Sequence, residues 1–157
     1  MRKGNIYREY RLKSYLNMNH YIIFNGKPGQ VHPHTWEFVT VIIMPGDEFI
    51  EFSVFEKAVD RFLSTYQNRI MNEVAPFDVT MPTVENVTDY FAGELDTIIS
   101  DLGGCLISLE GSETPTRGYI VSLGQQQNVV DRIDEIKEKY VDNMVERVVS
   151  DIKKKLE

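Results

Sequence analysis

The sequence predicts an α+β fold with elements in the order β-β-α-α-β-β-α. Three observations carry that reading. One long segment alternates apolar and polar residues with period two, three others repeat apolar residues at helical spacing, and the strands come in pairs joined by turns. Paired strands imply antiparallel hairpins, and no spacing suggests the crossovers of a Rossmann sheet.

The first strand spans Ile6 to His20, where even positions are mostly apolar and odd positions mostly polar, as in a half-buried strand. Asn25 to Gln30 is dense in turn formers and reads as a loop. The second strand runs from about His32 to Met44, rich in β-branched and aromatic residues, and Pro45-Gly46-Asp47 ends it. Phe52, Phe55, Ala58, Val59 and Phe62 then predict a helix over about Val54 to Gln67, with Ser53 as N-cap and Glu56 completing a capping box. After a loop from Asn72 to Met81, Val87, Tyr90, Phe91, Leu95 and Ile98 mark a second helix. It opens at Thr83 as N-cap or Pro82 in the first turn, and Gly103-Gly104 stops it. Cys105 to Glu110 and Gly118 to Leu123 read as short strands around a turn-rich segment, Gly111 to Thr116. From Gln125 onward, Val130, Ile133, Ile136, Tyr140, Met144, Val148, Ile152 and Leu156 step by three and four. That stripe is one amphipathic helix of about 30 residues and roughly 45 Å. The division is therefore a compact unit over residues 1–124 and a helical extension over 125–157.

Composition narrows the function. The chain has 157 residues, 24 acids against 17 bases and a net charge of −7, which disfavours gripping a phosphate backbone. No apolar run approaches the roughly 20 residues of a membrane span. Met1 to Asn5 is basic but no apolar stretch follows, so no secretion signal is expected. A single cysteine, Cys105, precludes an internal disulfide and agrees with a reducing cytoplasm. No nucleic-acid or membrane partner is expected.

The three histidines, His20, His32 and His34, all fall between residues 20 and 34. His32 and His34 lie two apart on one strand, so the pleat sends both rings to the same face. A hairpin closed between Tyr21 and Val31 would bring His20 beside them. Three neutral imidazoles on one sheet face match a zinc site with an open fourth position. The alternative is a pair of loop-edge histidines and a hydrogen-bonded sheet residue, since His-x-His alone is common.

Leu16-Asn17-Met18-Asn19-His20, His32-Pro33-His34, Ile50-Glu51-Phe52-Ser53, Pro82-Thr83-Val84-Glu85-Asn86, then Glu110 and Tyr119 follow one another in a familiar order. Over about residues 8 to 123 the chain resembles the 6-pyruvoyltetrahydropterin synthase and 6-carboxytetrahydropterin synthase family. The resemblance implies a tunnelling fold in which three subunits close a barrel and two trimers stack. It also implies zinc on His20, His32 and His34, and a pterin-like substrate at a subunit interface. Glu110 matches the acid that anchors the pterin ring, whose 2-amino-pyrimidinone edge offers a carboxylate two parallel N–H bonds; Glu113 is its rival. Thr83 and Glu85 match positions near the same ring edge, although an acid in a first helical turn is stabilising without any ligand.

The departures bear on chemistry. Where the family carries its catalytic cysteine, four residues before His-x-His, this chain has Pro28. The family's Asp-His dyad aligns with Gln67-Asn68, and neither amide exchanges a proton near neutral pH. No Asp or Glu lies between His20 and His32 to replace the thiol. Catalytic residues are therefore unassigned; proton transfer would fall to Tyr66, Tyr21 or metal-bound water. Two functions follow: a zinc-dependent lyase of altered chemistry on a pterin or related triphosphate, or a zinc-holding binding or regulatory subunit without turnover. A homo-oligomer larger than a dimer is expected because the hairpins expose sheet edges. The terminal helix either packs on its own subunit or makes an oligomer or partner contact, with Lys153-Lys154-Lys155 a solvated end that suits the helix dipole.

Overall fold

Strand β1 (Glu9–His20) buries its even residues from Leu12 to His20 and exposes most odd ones, as the period-two pattern requires. The computed structural model describes residues 8–45, 49–123 and 126–156, without the side chains of 126–130 and 156. Met1 to Tyr7, the stop residues Gly46 and Asp47, Gln125, and the side chains of Val130 and Leu156 lie outside that description.

The expected loop after β1 contains a small ribbon, β2 (Ile23–Phe24) with β3 (Lys27–Pro28). Asn25 and Gly26 form its turn at φ of 50° and 73°, the left-handed pair that an Asn-Gly hairpin adopts. Strand β4 (His32–Ile43) then pairs antiparallel along the whole of β1, with Glu9 opposite Ile43 and His20 opposite His32.

Helix α1 (Phe52–Leu63) begins and ends earlier than its apolar spacing predicts. Ser53 lies inside the helix with its hydroxyl donating to Glu51, and Glu51 holds the N-cap position without a side-chain cap. The chain leaves the helix at Ser64 because residues 67–69 bond instead to the edge of β1. Asn68 N–H donates to the Asn17 carbonyl at 2.7 Å, and Asn19 N–H to the Arg69 carbonyl at 2.8 Å. Helix α2 (Val84–Asp101) starts at Thr83, whose Oγ1 accepts from Asn86 N–H at 3.3 Å, and ends at Gly103, φ 83°.

Strands β5 (Cys105–Thr114) and β6 (Arg117–Ser122) extend into the segment expected to be a turn, leaving Pro115-Thr116 at the tip. The sheet order is β1-β4-β5-β6, so β1 and β6 are its edges. Leu16, Trp36, Phe38 and Leu109 on one face pack against Phe55 and Val59 of α1 and Phe91 and Leu95 of α2. A Cβ on Gly111 would sit 2.1 Å from Thr88 Oγ1, so β5 approaches α2 as closely as only glycine permits.

Helix α3 (Gln126–Leu156) forms as the stripe predicts. Ile133 and Ile136 pack with Ile43, Cys105 and Ile107 in a second small core. Arg132 donates to the carbonyls of Leu106 and Leu123 and pairs with Asp96. Cys105 is fully buried there, and burial raises its thiol pKa.

Candidate metal centre

The pairing of β1 with β4 sets His20 opposite His32, and Met18 opposite His34. Even positions on both strands face α1 and α2, so all three imidazoles share that face at its open end. Ring centroids are 4.6 Å apart for His20 and His32, 4.9 Å for His20 and His34, and 4.8 Å for His32 and His34. One ring nitrogen from each lies within 4.8 Å of the others.

Neighbouring backbone fixes two tautomers. His20 Nδ1 donates to the Pro82 carbonyl at 2.8 Å, and His32 Nδ1 to the Gln30 carbonyl at 2.9 Å. In a neutral ring each bond places the proton on Nδ1 and the lone pair on Nε2, the arrangement found behind metal-bound histidines. His20 is 2 % exposed, and its Nε2 has no hydrogen-bond partner. Burial lowers its pKa, opposed by the Pro82 bond and reinforced by His32 and His34. A buried, neutral, unpartnered nitrogen beside two more imidazoles fits a divalent cation of zinc's preference.

The motifs around the triad have definable structural duties. Pro82 supplies the carbonyl for His20, Thr83 caps α2, and Asn86 Nδ2 donates to the Met81 carbonyl at 2.9 Å. Asn72 clamps Tyr21 by both backbone groups, Oδ1 accepting its N–H at 2.9 Å and Nδ2 donating to its carbonyl at 3.0 Å. The chain is thereby pinned one residue past His20.

A cavity of about 660 Å³ opens beside the histidines, lined also by Thr83, Glu85, Glu113, Arg117 and Tyr119. Tyr119 donates to Asp89 at 3.1 Å, and that carboxylate raises its pKa. Of the acids singled out in the sequence, Glu85 lines this cavity and Glu110 does not. Glu110 is opposite Val39 on β4 and faces the other side of the sheet, beside Lys13, Tyr15 and Glu37. Glu113, three residues on, lines the histidine cavity and also borders the pocket beside Glu110. Parity held the signal for Glu110, since Leu109 and Gly111 are core positions and 110 lies between them; Glu113 sits where the pairing of β5 with β6 is irregular, between Gly111 and Thr114.

Gln67 and Asn68 do not line the cavity. Gln67 Oε1 accepts from Asn17 N–H at 2.6 Å and its Nε2 donates to the Tyr15 carbonyl at 3.2 Å. Asn68 adopts φ 59° against the same strand. Tyr66 is buried among Phe62, Phe77 and Phe91, its pKa raised by desolvation, and neither it nor Tyr21 lines the cavity. Pro28 lies in β3.

The family model of 6-pyruvoyl tetrahydropterin synthase matches residues 6–150. The chain belongs to the 6-pyruvoyl tetrahydropterin synthase family. The match reaches further into α3 than the motifs that carried the resemblance. The fold is similar to the Caenorhabditis elegans 6-pyruvoyl tetrahydropterin synthase, with a TM-score of 0.65 at 16% identity, over 76% of this chain and 97% of that one. It is also similar to a Plasmodium vivax 6-pyruvoyltetrahydropterin synthase in which a catalytic glutamate is replaced by alanine, with a TM-score of 0.62 at 14% identity, over 77% of this chain and all (100%) of that one. The Plasmodium falciparum enzyme gives 0.56 at 16% identity, over 77% and 100%. A comparison with curated protein sequences finds no match. The tunnelling fold expected from the motifs is therefore the fold of this family member. Among the described residues no helix is long and apolar enough to cross a membrane.

Proposed function

We propose that this family member holds one zinc ion on His20, His32 and His34 and takes a pterin-type ring in the adjoining cavity, without ordinary pyruvoyl- or carboxy-tetrahydropterin synthase turnover. The observation that carries the reading is the triad itself: three convergent imidazoles, two with their tautomer set by a backbone carbonyl. Zinc bound there would polarise a ligand oxygen. Glu113 rather than Glu110 is the ring anchor in this reading, because it lines the same cavity as the histidines and its charge acts on His20. Thr83 and Glu85 flank it at the N-terminus of α2. Arg117, on the same wall, supplies a cation for an acidic side chain or phosphate of the ligand.

The loss of turnover follows from the residues that surround the ligand. No thiol lines the cavity, and the positions of the family dyad are occupied by Gln67 and Asn68. Tyr119 keeps its proton because Asp89 stabilises the protonated form. Removing one acid–base group forfeits on the order of a hundred- to ten-thousand-fold in rate. The second reading, a zinc-holding binding or regulatory subunit, is supported by the same substitutions. In either case the assembly is a cytoplasmic homo-oligomer, trimer-based or hexameric, that covers the β1 and β6 edges.

The experiment is zinc analysis of the purified protein, with binding and turnover of dihydroneopterin triphosphate measured on the same sample. About one zinc per chain and ring binding without product is expected, with binding weakened by Glu113→Gln and unchanged by Glu110→Gln. Family-typical turnover would place a proton-transfer group where this reading has none.

A further inference from the structure

Among the described residues, helix α3 touches its domain over its first half. Arg132, Ile133, Ile136 and Lys139, which pairs with Asp101 at 3.2 Å, make the contacts, and Tyr140 lies over Gly103. From Val141 onward the helix carries a second apolar row. Val141, Val145, Val148 and Ile152 are 57%, 55%, 54% and 53% exposed and step by four, three and four, the spacing of a coiled-coil seam. Met144 and Val149, also exposed, broaden it. A helical segment of this length is marginal in water without a partner.

The residues that end the row identify the partner. One step before Val141 the seam position is Glu138, and one step after Ile152 it is Lys155, both exposed. A parallel pairing of copies would stack Glu138 on Glu138 and Lys155 on Lys155. An antiparallel pairing sets Glu138 against the other copy's Lys155, Val141 against Ile152, and Val145 against Val148, so every layer is matched. Opposite charges at the ends and branched apolar side chains between them are complementary to the same surface turned round, which is the condition for a two-fold contact.

We infer that the second half of α3 is a self-association surface, pairing antiparallel with α3 of a second copy of this chain through the Val141–Ile152 row. The inference goes beyond the zinc and ring assignment and needs neither. The two domains lie at opposite ends of the paired helices, so each pair joins two copies without covering the histidine cavity.

Disulfide trapping in the full-length protein tests it. Residues 141 and 152 of one helix are about 16 Å apart along the axis, so any disulfide between them joins two chains. Val141→Cys/Ile152→Cys should give a covalent dimer on mild oxidation, reversed by reductant, while either single variant should not. All substitutions are at exposed positions, and zinc content should stay at the wild-type level. Glu138→Lys or Lys155→Glu in the double-cysteine background should each lower dimer yield several-fold, and the two together should restore it. Cross-linking by the single variants would establish a parallel arrangement and overturn the inference, as would absence of cross-linking in the double variant.

Discussion

Two segments beside β1, the surroundings of His20 and residues 67–72, handle their polar atoms in opposite ways. Around His20, the backbone carbonyls of Pro82 and Gln30 bond to the Nδ1 atoms of His20 and His32, and the buried Nε2 of His20 has no partner. Along residues 67–72 the side-chain amides of Gln67 and Asn72 are engaged by backbone. Gln67 bonds to Asn17 and Tyr15, and Asn72 to Tyr21. A group whose hydrogen bonds are all internal contributes stability and register; a group held ready but unpartnered contributes affinity for something outside. His20 in the first segment is of the second kind, and Gln67 and Asn72 in the second segment are of the first.

The largest effect that would break this contrast concerns the metal. His32→Ala should reduce bound zinc from about one per chain to a small fraction by elemental analysis, because two imidazoles do not complete the site. Full zinc retention would show that the triad is a packing cluster. Next is Gly111→Ala, which should destabilise by an amount on the order of 1–3 kcal/mol in denaturant titration, since its methyl would overlap Thr88. Gln67→Ala should cost about 1–2 kcal/mol through two lost edge bonds while leaving zinc content unchanged. A loss of zinc instead would join the two segments that the comparison separates. Thr83→Ala should cost about 1 kcal/mol as a lost cap.

The smallest expected effect is a pH dependence. His20 has an ordinary pKa of 6.5, lowered in the fold by burial first and then by its neighbours. The unfolded chain therefore takes the proton at a higher pH than the folded chain. The metal-free protein is at its full stability above about 6.5 and loses stability as pH falls from there through the folded value. Thermal melts of chelator-treated protein across that interval measure it, and His20→Gln should flatten the dependence.

Most of the fold was legible because its signals are local. The even-residue burial of β1, the Thr83 cap and the long α3 stripe each rest on periodicity or one side chain. The His triad was legible for the same reason, a spacing of two on a strand facing a third histidine across a hairpin. The end of α1 was not, since apolar spacing continues to Tyr66 while the bonds that stop the helix come from β1, some fifty residues earlier. The extent of β5 was hidden by turn-forming residues that the sheet nonetheless pairs. That Glu110 lies off the histidine face could have been read by counting strand parity from Leu109, whereas the irregular pairing after Gly111 has no such local signal.

Cys105 turns the second core into a reporter. It is the one thiol in the sequence, fully buried where Ile133 and Ile136 of α3 close over β5. A thiol reagent can modify the native chain only after that contact opens, so its rate at saturating reagent equals an opening rate. Modification that is insensitive to low denaturant would mark local lifting of α3, and modification that rises as steeply as global unfolding would mark loss of the whole domain. The helix that carries the self-association surface can thus be timed from the wild-type chain, with no label added.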